Sequence, residues 1–230
     1  NLIDFTRKFI RKTDCVICTS NNLYNKYKNY NKKMFLVPSG VDLKKFNLLK
    51  KIKYKNNLYI RKKPTIGFIG SVSYILDFQL INKVASANPE YDFVFVGPKY
   101  QEVNSFKLSP NIHFQNQVSH DEIPFILNSF DIGMLPYKVN DFTNKVYPFK
   151  VNEYLAVGLP VISTKTLEMV IFNKNHNNVI RIINNEDEFN SAINDLYKNK
   201  NYNKNDLINI AKNNSWDKRM LLINKILNSI

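Results

Sequence analysis

From residue 65 onward, short apolar runs alternate with amphipathic stretches. Thr65–Ile69, Tyr91–Val96, Ile112–Phe114, Asp131–Leu135, Val161–Ser163 and Val179–Ile183 read as strands. Several, such as Asp92-Phe-Val-Phe-Val-Gly97, are apolar without a break, the pattern of strands covered on both faces. Between them lie helical patterns. One spans about 76–87, with Leu76, Leu80, Val84 and Ala87 on one stripe. Another runs to about 129, opened by Ser119 with Glu122 three residues later, a capping box. Helices at about 186–198, 204–213 and 215–229 close the chain. Strands alternating with helices of this length predict βαβ units and a parallel sheet with helices on both faces.

Before residue 65 the pattern is a helix over 2–12, a buried strand over Cys15–Thr19, a helix over about 21–29 capped by Ser20, and a strand Met34–Val37. A turn cluster, Pro38-Ser39-Gly40-Val41-Asp42, follows, with Phe46 as an anchor. Residues 47–63 are polar and basic without a period and read as a linker. The division expected is 1–45, the end of one domain with its connection, and 46–230, a Rossmann-like domain, with the last helix returning onto the amino-terminal part. The chain begins at Asn1, inside a helical pattern, and so reads as part of a longer or processed chain.

One stretch, residues 144–164, carries candidate chemistry. It reads as a short helix with Pro148 at its first position, Gly158 just past its end and a buried strand after it. Val151, Tyr154 and Leu155 make an apolar face, and Lys150 and Glu153 share another. A lysine at a helix start attracts phosphate, and a carboxylate one turn on accepts hydrogen bonds from a sugar diol. The same two residues also fit a solvated ion pair on a core helix. The surrounding pattern favours the first reading, because parallel sheets bind ligands beyond the carboxyl ends of their strands, where this loop lies.

Composition adds bounds. The 230 residues are 44% hydrophobic, enough for one good core, with no apolar run long enough to span a bilayer. The formal net charge of +14 suits anionic partners, phosphorylated substrates or an anionic membrane surface among them. The lysines are spread along the chain, densest over Lys44–Lys63, and no nucleic-acid-reading motif accompanies them, so no nucleic-acid partner is expected. Cys15 and Cys18 have C-x-x-C spacing. No second Cys or His pair completes a zinc site, and the apolar residues between them favour two buried thiols over a redox pair. The histidines make poor catalysts: His113 falls mid-strand, His120 in a helix cap and His176 in a polar loop.

The ordered segments Asp14-Cys-Val-Ile-Cys-Thr-Ser20, Val37-Pro-Ser-Gly-Val-Asp42, Ile66-Gly-Phe-Ile-Gly-Ser71, Phe93-Val-Phe-Val-Gly-Pro98, Asp131-Ile-Gly-Met-Leu-Pro136 and Pro148 to Thr164 resemble a known family. Their order and spacing are similar to the carboxy-terminal half of GT-B glycosyltransferases of the family-4 type, the glycosyl transferases group 1. Lys150-x-x-Glu-Tyr-Leu-Ala-x-Gly-x-Pro-Val161 is the most specific part. The resemblance runs from about residue 10 to the end, including Ser215-Trp216. It implies two Rossmann-like domains with a cleft between them, the amino-terminal one for a saccharide or lipid-linked cell-envelope acceptor and the carboxy-terminal one for a nucleotide-sugar donor. It further implies retention of configuration, no metal or other cofactor, and work in polysaccharide biosynthesis in the cytoplasm, with peripheral contact to the anionic inner face of the membrane.

By the same resemblance, Lys150 and Glu153 are the catalytic-site pair, with Glu153 on the donor ribose and Lys150 near the diphosphate beside Pro148 and the helix start. Gly70 and Ser71 approach the phosphates or sugar, and Gly97 and the Gln115–Val118 segment, Val118 included, lie near the base. Two departures stand out. Many members carry a glutamate eight positions before the one matching Glu153, where this chain has Lys145. Many carry an Arg and a Lys after the domain's first strand, where Ser71–Asp77 has neither. Asn144 and Lys145 are therefore expected to join Lys150 in balancing the diphosphate. The alternative is a non-catalytic nucleotide-sugar-binding module of the same fold.

Overall fold

The computed structural model describes residues 2–47 and 63–230, so the linker expected over 47–63 lies outside the described residues apart from its ends. Six strands form one parallel sheet: β3 (Thr65–Ile69), β4 (Asp92–Val96), β5 (Ile112–Gln115), β6 (Ile132–Leu135), β7 (Val161–Thr164) and β8 (Arg181–Ile183). Their spatial order is β5-β4-β3-β6-β7-β8. The chain winds outward from β3 through β5, returns to β6 beside β3, and winds the other way. This is the doubly wound order, and it opens a crevice at the carboxyl ends of β3 and β6. Residues 65–69 of β3 and 92–96 of β4 are all buried, as strands must be when helices cover both faces. The α/β class expected from the strand runs is therefore the class observed.

Two further strands, β1 (Val16–Cys18) and β2 (Met34–Leu36), pair in parallel as a separate small sheet. Around them pack α1 (Leu2–Lys12) and α2 (Asn21–Tyr27), with their own apolar cluster of Ile10, Cys18, Tyr27 and Met34. Ser20 caps α2, its hydroxyl accepting from the Leu23 amide. A short helix, α3 (Leu43–Asn47), buries Phe46 in the main core. Helices α4 (Phe78–Ala87), α5 (Ile123–Ser129), α6 (Lys150–Ala156), α7 (Leu167–Asn175), α8 (Glu186–Ile193), α9 (Lys204–Asn213) and α10 (Trp216–Leu227) belong to the large sheet and its return. At the start of α10, the Trp216 amide donates to Val41 O at 3.1 Å and the Val41 amide to Asn214 O at 3.1 Å. The outgoing and returning segments are thus stitched side by side.

The differences from expectation have physical causes. Helix α7 falls in a stretch without a predicted element, because Met169-Val-Ile-Phe172 is a contiguous apolar run with no helical period. The buried stripe of α4 is Phe78, Ile81, Val84 and Ala85, and Ala87 is exposed; Asp77, accepting from the Leu80 amide, starts the helix two residues later than the apolar pattern suggests. The capping box forms only in part: Glu122 accepts from the Ser119 amide and hydroxyl, while α5 itself opens at Ile123-Pro124. Cys18 is buried, with burial pushing its thiol pKa up, but Cys15 is only half-buried.

Helix α6 has sharp ends. Pro148 lies two residues before the first helical residue rather than at it, and Phe149 forms the turn between them. At the other end, the Leu159 amide donates to Tyr154 O and the Gly158 amide to Leu155 O, the paired bonds of a Schellman motif. Gly158 has φ +72°, a conformation glycine adopts without a Cβ penalty. Val151, Tyr154 and Leu155 are fully buried, the face expected, and Asn152 and Glu153 are buried beside them.

Candidate donor site

A cavity of about 530 Å³ opens at the crevice between β3 and β6. Gly70 and Ser71 after β3, Gly97 after β4 and Val118 after β5 line it, facing Pro148 and Lys150 from the approach to α6. The close approach of two strand ends shapes its floor. A Cβ on Gly97 would lie 2.1 Å from the carbonyl oxygen of Gly70, and Gly97 has φ +142°, so only glycine fits there.

Lys150 Nζ donates to Glu153 Oε2 at 3.0 Å, and the two side chains are 15% and 10% exposed. This is a part-buried ion pair rather than a solvated one. Glu153 stands behind Lys150 and is not itself a lining residue. The pair is indexed to the strand ends by its neighbour: Tyr154, wholly buried, accepts from the Ile69 amide at 3.0 Å through its hydroxyl. Helix α6 therefore cannot slide without breaking a bond at the end of β3. Tyr137, also on the cavity wall, has its phenol pKa raised, first by burial of its hydroxyl end and then by the charge of Glu153. It remains a neutral hydrogen-bond donor at physiological pH.

The structure brings six of the nine sequence-predicted residues to the cavity wall: Gly70, Ser71, Gly97, Val118, Pro148 and Lys150. Glu153 joins through Lys150. Asn144 and Lys145 are committed elsewhere. Asn144 Oδ1 accepts from the Leu167 amide at 2.8 Å, tying down the start of α7, and Lys145 pairs with the exposed Asp141 one turn back. Sequence reasoning missed Tyr147, Thr166 and His120, which also line the cavity. Tyr147 lies just before Pro148, but nothing in a single sequence marks its side chain as wall. His113, expected mid-strand, sits on the edge strand β5 with Nε2 3.2 Å from Asp92 Oδ1. Among the described residues no group of three or more His, Cys, Asp or Glu could hold a metal ion, and no helix is long and apolar enough to cross a membrane.

The strand order and the cavity at the reversal point are those of doubly wound α/β domains that take ligands beyond their strand ends. Residues 63–199 match the model of the family described as glycosyl transferases group 1, and the chain belongs to that family. It is 30% identical over 168 residues to TuaH of Bacillus subtilis (strain 168), provisionally named a teichuronic acid biosynthesis glycosyltransferase. The match covers 68% of this chain and 42% of TuaH. Among solved structures it resembles Alr3699/HepE of Anabaena in complex with UDP, with a TM-score of 0.76 and 12% identity over 99% of this chain and 67% of that one. It also resembles sucrose-phosphate synthase from Thermosynechococcus elongatus, with a TM-score of 0.74 and 14% identity over 99% of this chain and 61% of that one. At these identities the likeness to solved structures is one of fold. The chain spans less than half the length of TuaH.

Proposed function

We propose that this chain is the donor-binding part of a glycosyltransferase that moves a sugar from a nucleoside-diphosphate donor to a saccharide or lipid-linked acceptor. The observation that carries the reading is the Lys150–Glu153 pair at the wall of the switch-point cavity. Transfer breaks the bond between the sugar's anomeric carbon and the diphosphate, and negative charge grows on the leaving oxygen. Lys150 has three N–H donors and spends one on Glu153, so two remain for phosphate oxygens. The carboxylate keeps acceptor capacity for a ribose diol. Gly97 and Gly70 let backbone come close where side chains would intrude.

Membership of the family supports the reading. So does the teichuronic acid glycosyltransferase name of TuaH, and so does a HepE structure in complex with UDP-glucose, which makes a uridine donor the first to try. Retention of configuration, independence of metal, and work at the cytoplasmic face of the membrane are parts of the same proposal. So is the division into an acceptor-side remnant over 1–45 and a donor domain over 46–230, which fits the small sheet having its own apolar cluster. Asn144 and Lys145 drop out of the donor contacts in this version, since other partners hold their side chains.

One observation favours a second reading, a binding module without turnover. Lys150 is the one lysine among the lining residues described, and it is already paired. Donor hydrolysis, or transfer to an added acceptor, separates the two. The test of the site is calorimetry with UDP-glucose. Glu153→Ala is expected to lose about 1–3 kcal/mol of affinity, the cost of unmade buried hydroxyl contacts; unchanged affinity refutes the assignment.

A further inference from the structure

Beneath the cavity wall lies a chain of four hydrogen-bonded side chains. Asn152 Nδ2 donates to the Tyr147 hydroxyl at 3.1 Å. Asn214 Nδ2 donates to Asn152 Oδ1 at 3.2 Å. Arg219 Nη2 donates to Asn214 Oδ1 at 2.7 Å, completing the chain. Tyr147 alone of the four lines the cavity, and the segment it opens, Tyr147–Lys150, lines it throughout. Asn152 is fully buried and Asn214 nearly so.

Each amide in the network is used up. The second proton of the Asn152 amide goes to Ser39 O at 3.2 Å, and that of Asn214 faces His176 Nε2 at 3.2 Å. His176 Nδ1 lies 2.8 Å from Phe172 O and so carries the ring proton, which leaves Nε2 as the acceptor Asn214 needs. The His176 ring stacks on Phe172 at 4.2 Å, and Phe172 in turn meets the Tyr147 ring edge-on at 6.4 Å. A buried network with every amide donor and acceptor satisfied has one arrangement, and removing any member leaves a neighbour unpaired in a dry place. Arg219 Nε is buried without a partner, a cost its other bonds must offset.

We infer that Arg219, Asn214 and Asn152 are positioning residues for the donor cavity: they fix the Tyr147 wall, and with it the approach to Lys150, to the returning helix α10 and the Ser39 segment. The geometry supports a direction of influence. Asn152 sits on α6 between Lys150 and Glu153, whereas Arg219 and Asn214 belong to the far side of the chain crossing, where Val41 and Trp216 are stitched together. A shift of α10 would reach the cavity wall at Tyr147 through the bonds of Arg219, Asn214 and Asn152. Its consequence for donor binding rests on the nucleotide reading of the cavity.

Two readouts on the full chain test it, with Tyr147→Phe, Arg219→Gln and the double variant. The first is hydrogen exchange of the Tyr147, Phe149 and Lys150 amides, the N–H groups of the 147–150 segment, which needs no ligand. Both single variants are expected to speed exchange there while β3 stays protected, and the double variant to do no more than either single; unchanged exchange at 147–150 overturns the inference. The second is UDP-glucose calorimetry below the unfolding temperature of every variant. Each single variant is expected to weaken binding about three- to tenfold, the loss of one hydrogen bond's net contribution, again without additivity. Lower thermal stability with unchanged affinity makes the network merely structural and overturns the positioning role. If the wild-type chain binds no nucleotide sugar, the donor reading fails instead, and exchange alone decides whether the network holds the wall.

Discussion

Replacing Lys150 and Glu153 singly and together measures what holds the site in shape. The charged atoms are 3.0 Å apart. At an effective dielectric of about 20, their gross attraction is about 5.5 kcal/mol. Desolvation of both groups opposes it, so the pair's net contribution is far smaller, but removing one partner leaves the other unpaired. Lys150→Met strands a carboxylate whose side chain is only 10% exposed, and the expected cost lies at the lower end of about 3–5 kcal/mol. Glu153→Gln is milder, about 1–2 kcal/mol, because Lys150 borders the cavity and its ammonium can turn to water there. The double variant is expected to recover at least about 1.5 kcal/mol of the summed loss, the coupling of a close pair. Urea unfolding, with midpoint and slope both fitted, reads all three. Additivity within about 0.5 kcal/mol means that the two side chains do not interact in solution, and the argument from a part-buried pair collapses.

Other outcomes follow from single contacts. Gly97→Ala is expected to lower stability by at least about 1–3 kcal/mol, since its backbone is in a glycine region and the new methyl meets Gly70 O; a thermal midpoint equal to wild type contradicts this. Asn144→Ala should cost about 1 kcal/mol by freeing the Leu167 amide, whereas Lys145→Ala should change stability by less than about 0.5 kcal/mol, because its partner Asp141 is exposed. The Asn201 amide, with Arg181 second, holds the Asp195 carboxyl below its ordinary pKa, so the stability it contributes is complete above about pH 4 and fades as pH falls through the folded value. Denaturation of Asp195→Asn between about pH 2 and 5 should accordingly lose the part of the acid dependence that the wild type has. If Lys150 and backbone amides carry the phosphate charge, as proposed, EDTA should leave UDP-glucose binding by the chain unchanged in calorimetry, and loss of binding contradicts it.

Much of the fold was legible because strands covered on both faces must be apolar throughout, and Phe93-Val-Phe-Val96 and Ile132-Gly-Met-Leu135 announce themselves. The end of α6 was legible too, since Gly158 and Pro160 each permit little else. Helix α7 was not, because Met169-Val-Ile-Phe172 carries the same unbroken apolarity as a strand. At the site, Lys150 and Glu153 could be paired from their spacing, but their burial depends on α6 being pinned through Tyr154 to Ile69, which lies 85 residues away. The network of Tyr147, Asn152, Asn214 and Arg219 was beyond reach for the same reason. In a chain so rich in asparagine, nothing local separates Asn152 and Asn214 from solvated ones, and the packing of α9 against α6 brings them together. Lys145 shows the converse: its place in a motif suggested a donor contact, and local geometry turned it to Asp141.

A thermal-shift comparison of UDP-, GDP- and ADP-sugars on the wild-type chain and on Glu153→Ala tests the central claim most directly. One class of donor is expected to stabilise the wild type by about 2.7 kcal/mol at 100 times its dissociation constant, and to stabilise Glu153→Ala markedly less at the same concentration. No stabilisation of the wild type by any of the three, or equal stabilisation of both proteins, would contradict a donor site built on Lys150 and Glu153.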